Sequence, residues 1–166
     1  MLDHDSKHYI EIVLEVSTVK QTGLLLWQGE RNPSLASLSR GANSQEDHFI
    51  AIGIINGQVT LDVGNVRLND TTNVADGNRH LIRVFKYVDR LELIVDDKSS
   101  QEHSGETFDD TQIAPQAVFL GGLPNSEEIE KKTAGLFSSS FSGCVHRVGF
   151  HTHCREEGCA PFSKDP

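Results

Sequence analysis

Phe49-Ile50-Ala51-Ile52-Gly53-Ile54-Ile55-Asn56-Gly57-Gln58-Val59-Thr60-Leu61-Asp62-Val63 is the stretch whose reading decides the fold. Two apolar runs flank Asn56-Gly57. A two-residue type I′ turn needs positive φ at both central positions, and Asn-Gly accepts that more readily than most pairs. The second run alternates apolar and polar residues, as a half-buried strand does. The stretch therefore reads as a β-hairpin.

The same period extends outward. Ile10, Ile12, Leu14 and Val16 alternate with Glu11, Val13 and Glu15. Gly23-Leu24-Leu25-Leu26-Trp27 is a short apolar run suited to a strand covered on both faces. Residues 81–88 and 91–95 form a second apparent hairpin around Asp89-Arg90. Val118-Phe119-Leu120 is a strand stopped by Gly121-Gly122, and residues 144–150 form the last clear one. Helical signals are confined to residues 126–132, with Ser126 as cap and Glu127-Glu128 at the positive end. Many short strands separated by turns imply an all-β sandwich or jelly roll. At 166 residues this is one domain spanning 1–166, with its core at about 8–159.

Charge narrows the partners. The formal net charge is −9 and no Lys/Arg run occurs, so a nucleic-acid partner is excluded and heparin is disfavoured. No apolar run approaches the roughly 18 residues of a bilayer span, so no membrane insertion is expected. Residues 1–7 are polar and do not read as a signal peptide.

Several segments, in order, resemble the laminin G-like family, with the group found in agrin and perlecan nearest. Gly23-Leu24-Leu25-Leu26-Trp27-Gln28-Gly29 resembles its GLLLW.G strand, and residues 49–59 resemble DFIALGL.DG.V. Asp76-Gly77-Asn78-Arg79-His80-Leu81-Ile82-Arg83-Val84 resembles NDG.WH.V.V, with Arg79 in place of a tryptophan. Residues 91–96 resemble the VDG strand, where Asp97 replaces the glycine. Residues 118–124 and 141–145 resemble..LGG.P and F.GC.

The resemblance implies an antiparallel β-sandwich of jelly-roll type, built of two sheets, and a secreted, non-catalytic module of the extracellular matrix or cell surface. Its partner would be a receptor or matrix protein bound at rim loops 30–48, 63–73 and 101–113. The alternatives are a glycan bound as by a lectin, or a small apolar ligand carried between the sheets. It also implies either no cofactor or one Ca²⁺ at the rim. In strict register the two side-chain positions fall on His48 and Ile113, which offer no carboxylate. A one-residue shift brings in Asp47 and Asp110, with carbonyls of Val63 and Thr111, toward the six to eight oxygens the ion takes. The family pairs the cysteine of F.GC with one near the C-terminus. For a strand over 144–150 the nine residues to Cys159 allow a comfortable return, whereas Cys154 is barely reachable. Cys144–Cys159 is the expected disulfide, with Cys154 the alternative partner.

Other sites weigh less. Cys144, His146, His151, His153, Cys154 and Cys159 are of zinc-ligand type but lack paired-ligand spacing. No nucleophile elbow, HExxH or phosphate loop occurs. Glu11 with Glu15, and Glu92 with Asp96, share strand faces as a glycosidase pair does, but read better as a polar face. Asn69-Asp70-Thr71 is an N-glycosylation sequon. Trp27, inside its apolar run, reads as core rather than a sugar platform.

Overall fold

The computed structural model describes residues 8–30, 48–64, 66–104 and 117–154. Among these residues ten strands and one short helix follow in order. They are β1 (His8–Ser17), β2 (Gly23–Glu30), β3 (His48–Ile55), β4 (Gln58–Val63), β5 (Val66–Asn69) and β6 (His80–Tyr87). Then come β7 (Arg90–Val95), β8 (Ser99–Ser104), β9 (Val118–Leu120), α1 (Ser126–Lys132) and β10 (Cys144–Cys154). The strands form two antiparallel five-stranded sheets, ordered β10-β1-β6-β7-β8 and β5-β4-β3-β2-β9.

The turns follow from residue chemistry. Asn56 and Gly57 take φ of 52° and 75°, as the β3–β4 hairpin requires. Asp96 and Asp97 take 54° and 53° between β7 and β8, a region that Asp tolerates better than most side chains. A glycine is therefore not needed at the second of these places.

Alternation sets the faces. In β6 buried and half-buried residues alternate without a break. Ile10, Ile12, Leu14 and Val16 of β1 meet Ile82, Val84, Leu91, Leu93 and Val95 in the space between the sheets. Leu25, Leu26 and the inward residues of β3, β4 and β5 complete this core. A second cluster lies on the far side of the β2-containing sheet. There Leu24, Trp27, Phe49 and Ala51 pack under Leu123, Ile129 and Phe137. Strand β2 is thus apolar toward both faces, and a register shift between Leu24 and Leu26 lets adjacent leucines serve the same core.

Three elements differ from the sequence reading. Ser99–Ser104 is strand β8, although loop was expected from residue 101. Its polar side chains carry no period, and it is held by main-chain pairing to β7 at a sheet edge. Within 63–73, residues 66–69 form β5. The last strand runs to Cys154, not Phe150, because His8–Ile12 of β1 pair with it that far.

Strands β5 and β8 touch, which closes one flank of the sandwich. Strands β9 and β10 are the opposite ends of the two strand orders and share the other flank.

Candidate functional site

Connectivity assigns the ends of the sandwich. Strand β1 leaves its sheet at Ser17, and β2 enters the other at Gly23. That end also holds Asn56-Gly57, residues 74–80 and the Asp96-Asp97 turn. Here the Gly77 amide donates to the Thr18 carbonyl and the Val74 amide to the Gly57 carbonyl. The other end holds Tyr9, Glu30, His48, Val63, Tyr87 and Arg90.

At the first end His80 is clasped by two carboxylates. Its Nε2 lies 2.8 Å from Asp76 Oδ1 and its Nδ1 lies 2.7 Å from Asp96 Oδ2. Burial lowers the pKa of His80, but the hydrogen bonds and charges of Asp76 and Asp96 outweigh it and raise the value. The His80 hydrogen bond, followed by those from Asn78, holds Asp76 far below the usual carboxylate range. Asp96 Oδ1 also accepts the Leu81 amide, so the clasp ties the β7–β8 turn to the start of β6. It is a structural knot that leaves no carboxylate poised for acid–base work.

At the second end the outer face of the β1-containing sheet carries an aromatic patch. Alternation along β6 turns Leu81, Arg83, Phe85 and Tyr87 outward. Tyr9 of β1 lies opposite Tyr87, with ring centroids 5.2 Å apart, and 6.3 Å from Phe85. Two arginines lie across the rings. The Arg90 guanidinium carbon is 4.1 Å from the Tyr87 centroid, and that of Arg83 is 5.0 Å from Phe85. Arg83 also reaches Glu11 at 3.2 Å and Asp97 at 3.3 Å. The Glu11 hydrogen bond is the main cause raising the Arg83 pKa. Arg90 Nε is buried without a hydrogen bond, so stacking positions this side chain. Among the described residues no second layer covers this face, whereas α1 covers the other sheet. Sequence reading passed over the patch because alternation alone explained residues 79–90. The available signal was that two of the four outward β6 residues are aromatic.

The expected sites fare unevenly. Val63 sits at this second end, buried and paired with Ile50 and Val66, and brings no side-chain donor. Asp47, Asp110 and Thr111 lie outside the described residues. Among the described residues no group of three His, Cys, Asp or Glu side chains is arranged to hold a metal ion; the carboxylates around His80 face its ring nitrogens instead. Asn69 is exposed at the end of β5, as is Thr71, whereas Asp70 between them is buried; the Oδ1 of Asn69 accepts the Thr60 hydroxyl at 3.0 Å. Trp27 is fully buried and stacks on Phe49 at 5.1 Å, which removes it as a sugar platform.

The carboxylate pairs are engaged elsewhere. Glu11 pairs with Arg83, Glu15 with Arg79 at 3.5 Å, and Asp96 with His80.

The cysteine expectation meets a length limit. Cys144 and Cys154 are the two ends of one extended strand, roughly 30 Å apart at about 3.3 Å per residue. A disulfide needs Cα atoms within about 7 Å, so Cys154 is not the partner of Cys144. Cys159 lies outside the described residues. Five residues beyond Cys154 reach about 17 Å at full extension, so this pair closes only if β10 peels from β1. The Cys144 thiol is free and exposed. The same spacing strings His146, His151 and His153 along the strand, with His146 Nε2 2.8 Å from the Ser17 hydroxyl.

The family model described as Laminin G domain matches residues 16–154. The chain belongs to the Laminin G domain family. Among curated relatives, a basement membrane proteoglycan of Caenorhabditis elegans is 28% identical over 141 residues, covering 82% of this chain and 4% of that protein. The basement membrane-specific heparan sulfate proteoglycan core protein of Mus musculus is 28% identical over 145 residues, covering 85% and 4%. This laminin G chain thus spans a small fraction of those relatives. Among solved structures, domains LG4-5 of the mouse laminin alpha1 chain superpose with a TM-score of 0.61 at 17% identity, covering 90% of this chain and 37% of that one. The LG1-3 region of the laminin alpha2 chain gives 0.58 at 23% identity, covering 90% and 28%. These likenesses agree with the two-sheet sandwich described above.

Proposed function

We propose that this laminin G chain is an extracellular, non-catalytic recognition module of a matrix protein, and that a protein partner docks on the Tyr9–Phe85–Tyr87 face. The observation that carries the reading is the stack of Arg90 on Tyr87 beside Arg83 on Phe85. Tyr and Arg are enriched where binding energy concentrates; Tyr buries large area at small cost in rotamer freedom, and here each Arg is already held in place by its stacking on a ring. The relatives, basement membrane proteoglycans, support the matrix setting. The face adjoins the end where β2 and β4 run out and β3 begins, so a partner seated on it also reaches the rim.

The test compares the chain with Tyr87→Ser and Arg90→Ser variants against purified basement-membrane proteins and receptor ectodomains on a biosensor. Each substitution is expected to weaken binding by roughly tenfold, about 1.4 kcal/mol, without moving the melting point by more than a few degrees. Unchanged affinity in both variants returns recognition to the rim loops. Binding confined to a glycan array makes the ligand a sugar.

A further inference from the structure

Among the described residues strand β10 is the last strand of its sheet, paired with β1 along one side only. An edge exposes a row of main-chain donors and acceptors, and proteins usually blunt it with proline, an inward charge or a short strand. Strand β10 has eleven residues and no proline. Its inward-turned Val148 and Phe150 stand opposite Leu14 and Ile12 in register, yet are 45% and 38% exposed. Val145, and Val118 and Leu120 of β9 on the same flank, are also exposed. The two sheets close against each other at β5 and β8. Five of the six large apolar side chains exposed among the described residues, all but Val19, gather on the opposite flank, where one more strand beside β10 would cover them.

Charge selects the strand. In a chain of net charge −9, residues 144–154 contain no Asp or Glu but hold Arg147 and three histidines. Arg147 is exposed and makes no ion pair among the described residues. Its neighbour across the ladder, Glu15, is engaged by Arg79. Two copies of β10 set antiparallel about Gly149 would bring Arg147 against His151 with no carboxylate between them. Self-pairing is therefore the poorer match.

We propose that the β10 edge accepts an extended acidic segment of another protein as an added strand. Its alternate apolar residues would cover Val148 and Phe150, and its carboxylates would meet Arg147. Main-chain bonds supply affinity in this mode, and the alternating side chains supply selectivity.

The probes are two synthetic peptides of one alternating valine–phenylalanine pattern, with glutamate at every intervening position in one and lysine in the other. Binding is read by fluorescence anisotropy, and the site by amide exchange along β10. The glutamate peptide is expected to bind at least about tenfold more tightly than the lysine peptide and to slow the exchange of alternate β10 amides. Arg147→Glu is expected to reverse the preference, and Val148→Ser with Phe150→Ser to abolish binding while the melting curve holds. Equal binding of both peptides, or protection elsewhere than β10, overturns the proposal. So does slow exchange of those amides in the free chain, which would mean that the edge is already covered. Concentration-dependent dimerisation through β10 would assign the edge to a second copy and overturn it as well.

Discussion

His80 Nδ1 and Asp96 Oδ2 lie 2.7 Å apart, and the other oxygen of Asp96 accepts the Leu81 amide. One carboxylate thus fixes both an imidazole and a main chain, while Asp76 takes the second ring nitrogen. The ring is best held when it is protonated and both carboxylates are ionised.

The pH dependence follows from that state. A raised His80 pKa contributes stability that is complete below its ordinary value of 6.5 and is lost as pH rises through the folded value. Lowered Asp76 contributes above its ordinary 3.8, and the contribution is lost as pH falls through the folded value. Both are present between 3.8 and 6.5. The stability gap between the wild-type chain and His80→Gln is therefore expected to be widest between pH 3.8 and 6.5 and to narrow as pH rises past 6.5 through the folded value. Urea unfolding across pH measures it. A gap that grows toward alkaline pH would contradict the protonated clasp.

Gly53 marks a close approach between β3 and the segment after α1. A Cβ there would strike the Phe137 ring and lie 2.7 Å from the Gly23 carbonyl oxygen. Gly53→Ala is expected to cost about 1–3 kcal/mol in chemical denaturation. Adding Phe137→Leu should recover only part of it, because the Gly23 carbonyl is backbone and cannot swing away. Full recovery would place all of the strain on the ring.

Thr133 closes α1. Its buried hydroxyl lies 2.6 Å from the Ile129 carbonyl, and its oxygen accepts the Phe137 amide at 3.0 Å. Thr133→Val keeps the shape and strands these groups, so a loss of about 1–3 kcal/mol is expected in thermal unfolding. Thr133→Ser keeps the hydroxyl and should lose clearly less. Equal losses would make the methyl group, not the hydroxyl, the important part.

The β3–β4 turn offers a sign test. Asn56 sits at a φ of 52°, which costs an alanine roughly 1 kcal/mol more than it costs Asn or Gly. Asn56→Ala should lower the stability measured by denaturant unfolding, and Asn56→Gly should lower it less. The reverse order would show that the Asn side chain, rather than its backbone freedom, holds the turn.

Some of this was legible in the chain itself. Alternation placed β1, β4, β6 and β7, because half-burial imposes a period of two on side chains, and the apolar run before Asn56-Gly57 placed β3. Asn56-Gly57 announced its hairpin, and Ser126 with the two glutamates announced α1. Strands β5 and β8 were hidden: β8 is polar, β5 is four residues long, and main-chain pairing leaves no mark on composition.

By itself, then, the sequence determined an all-β chain of short strands, its central strands and its key turns, since these depend on local φ and on the spacing of apolar residues; the two antiparallel layers came from the likeness of its motifs to the laminin G-like family. Only the tertiary structure decided what those strands bring together. It set Tyr9 of β1 beside Tyr87 at the far end of β6, and it tied His80 to Asp96. It carried β10 on to Cys154, which moves that residue out of reach of Cys144. Such neighbours are fixed by strand order and register, which arise from pairing between distant segments and leave no periodic trace in either segment alone.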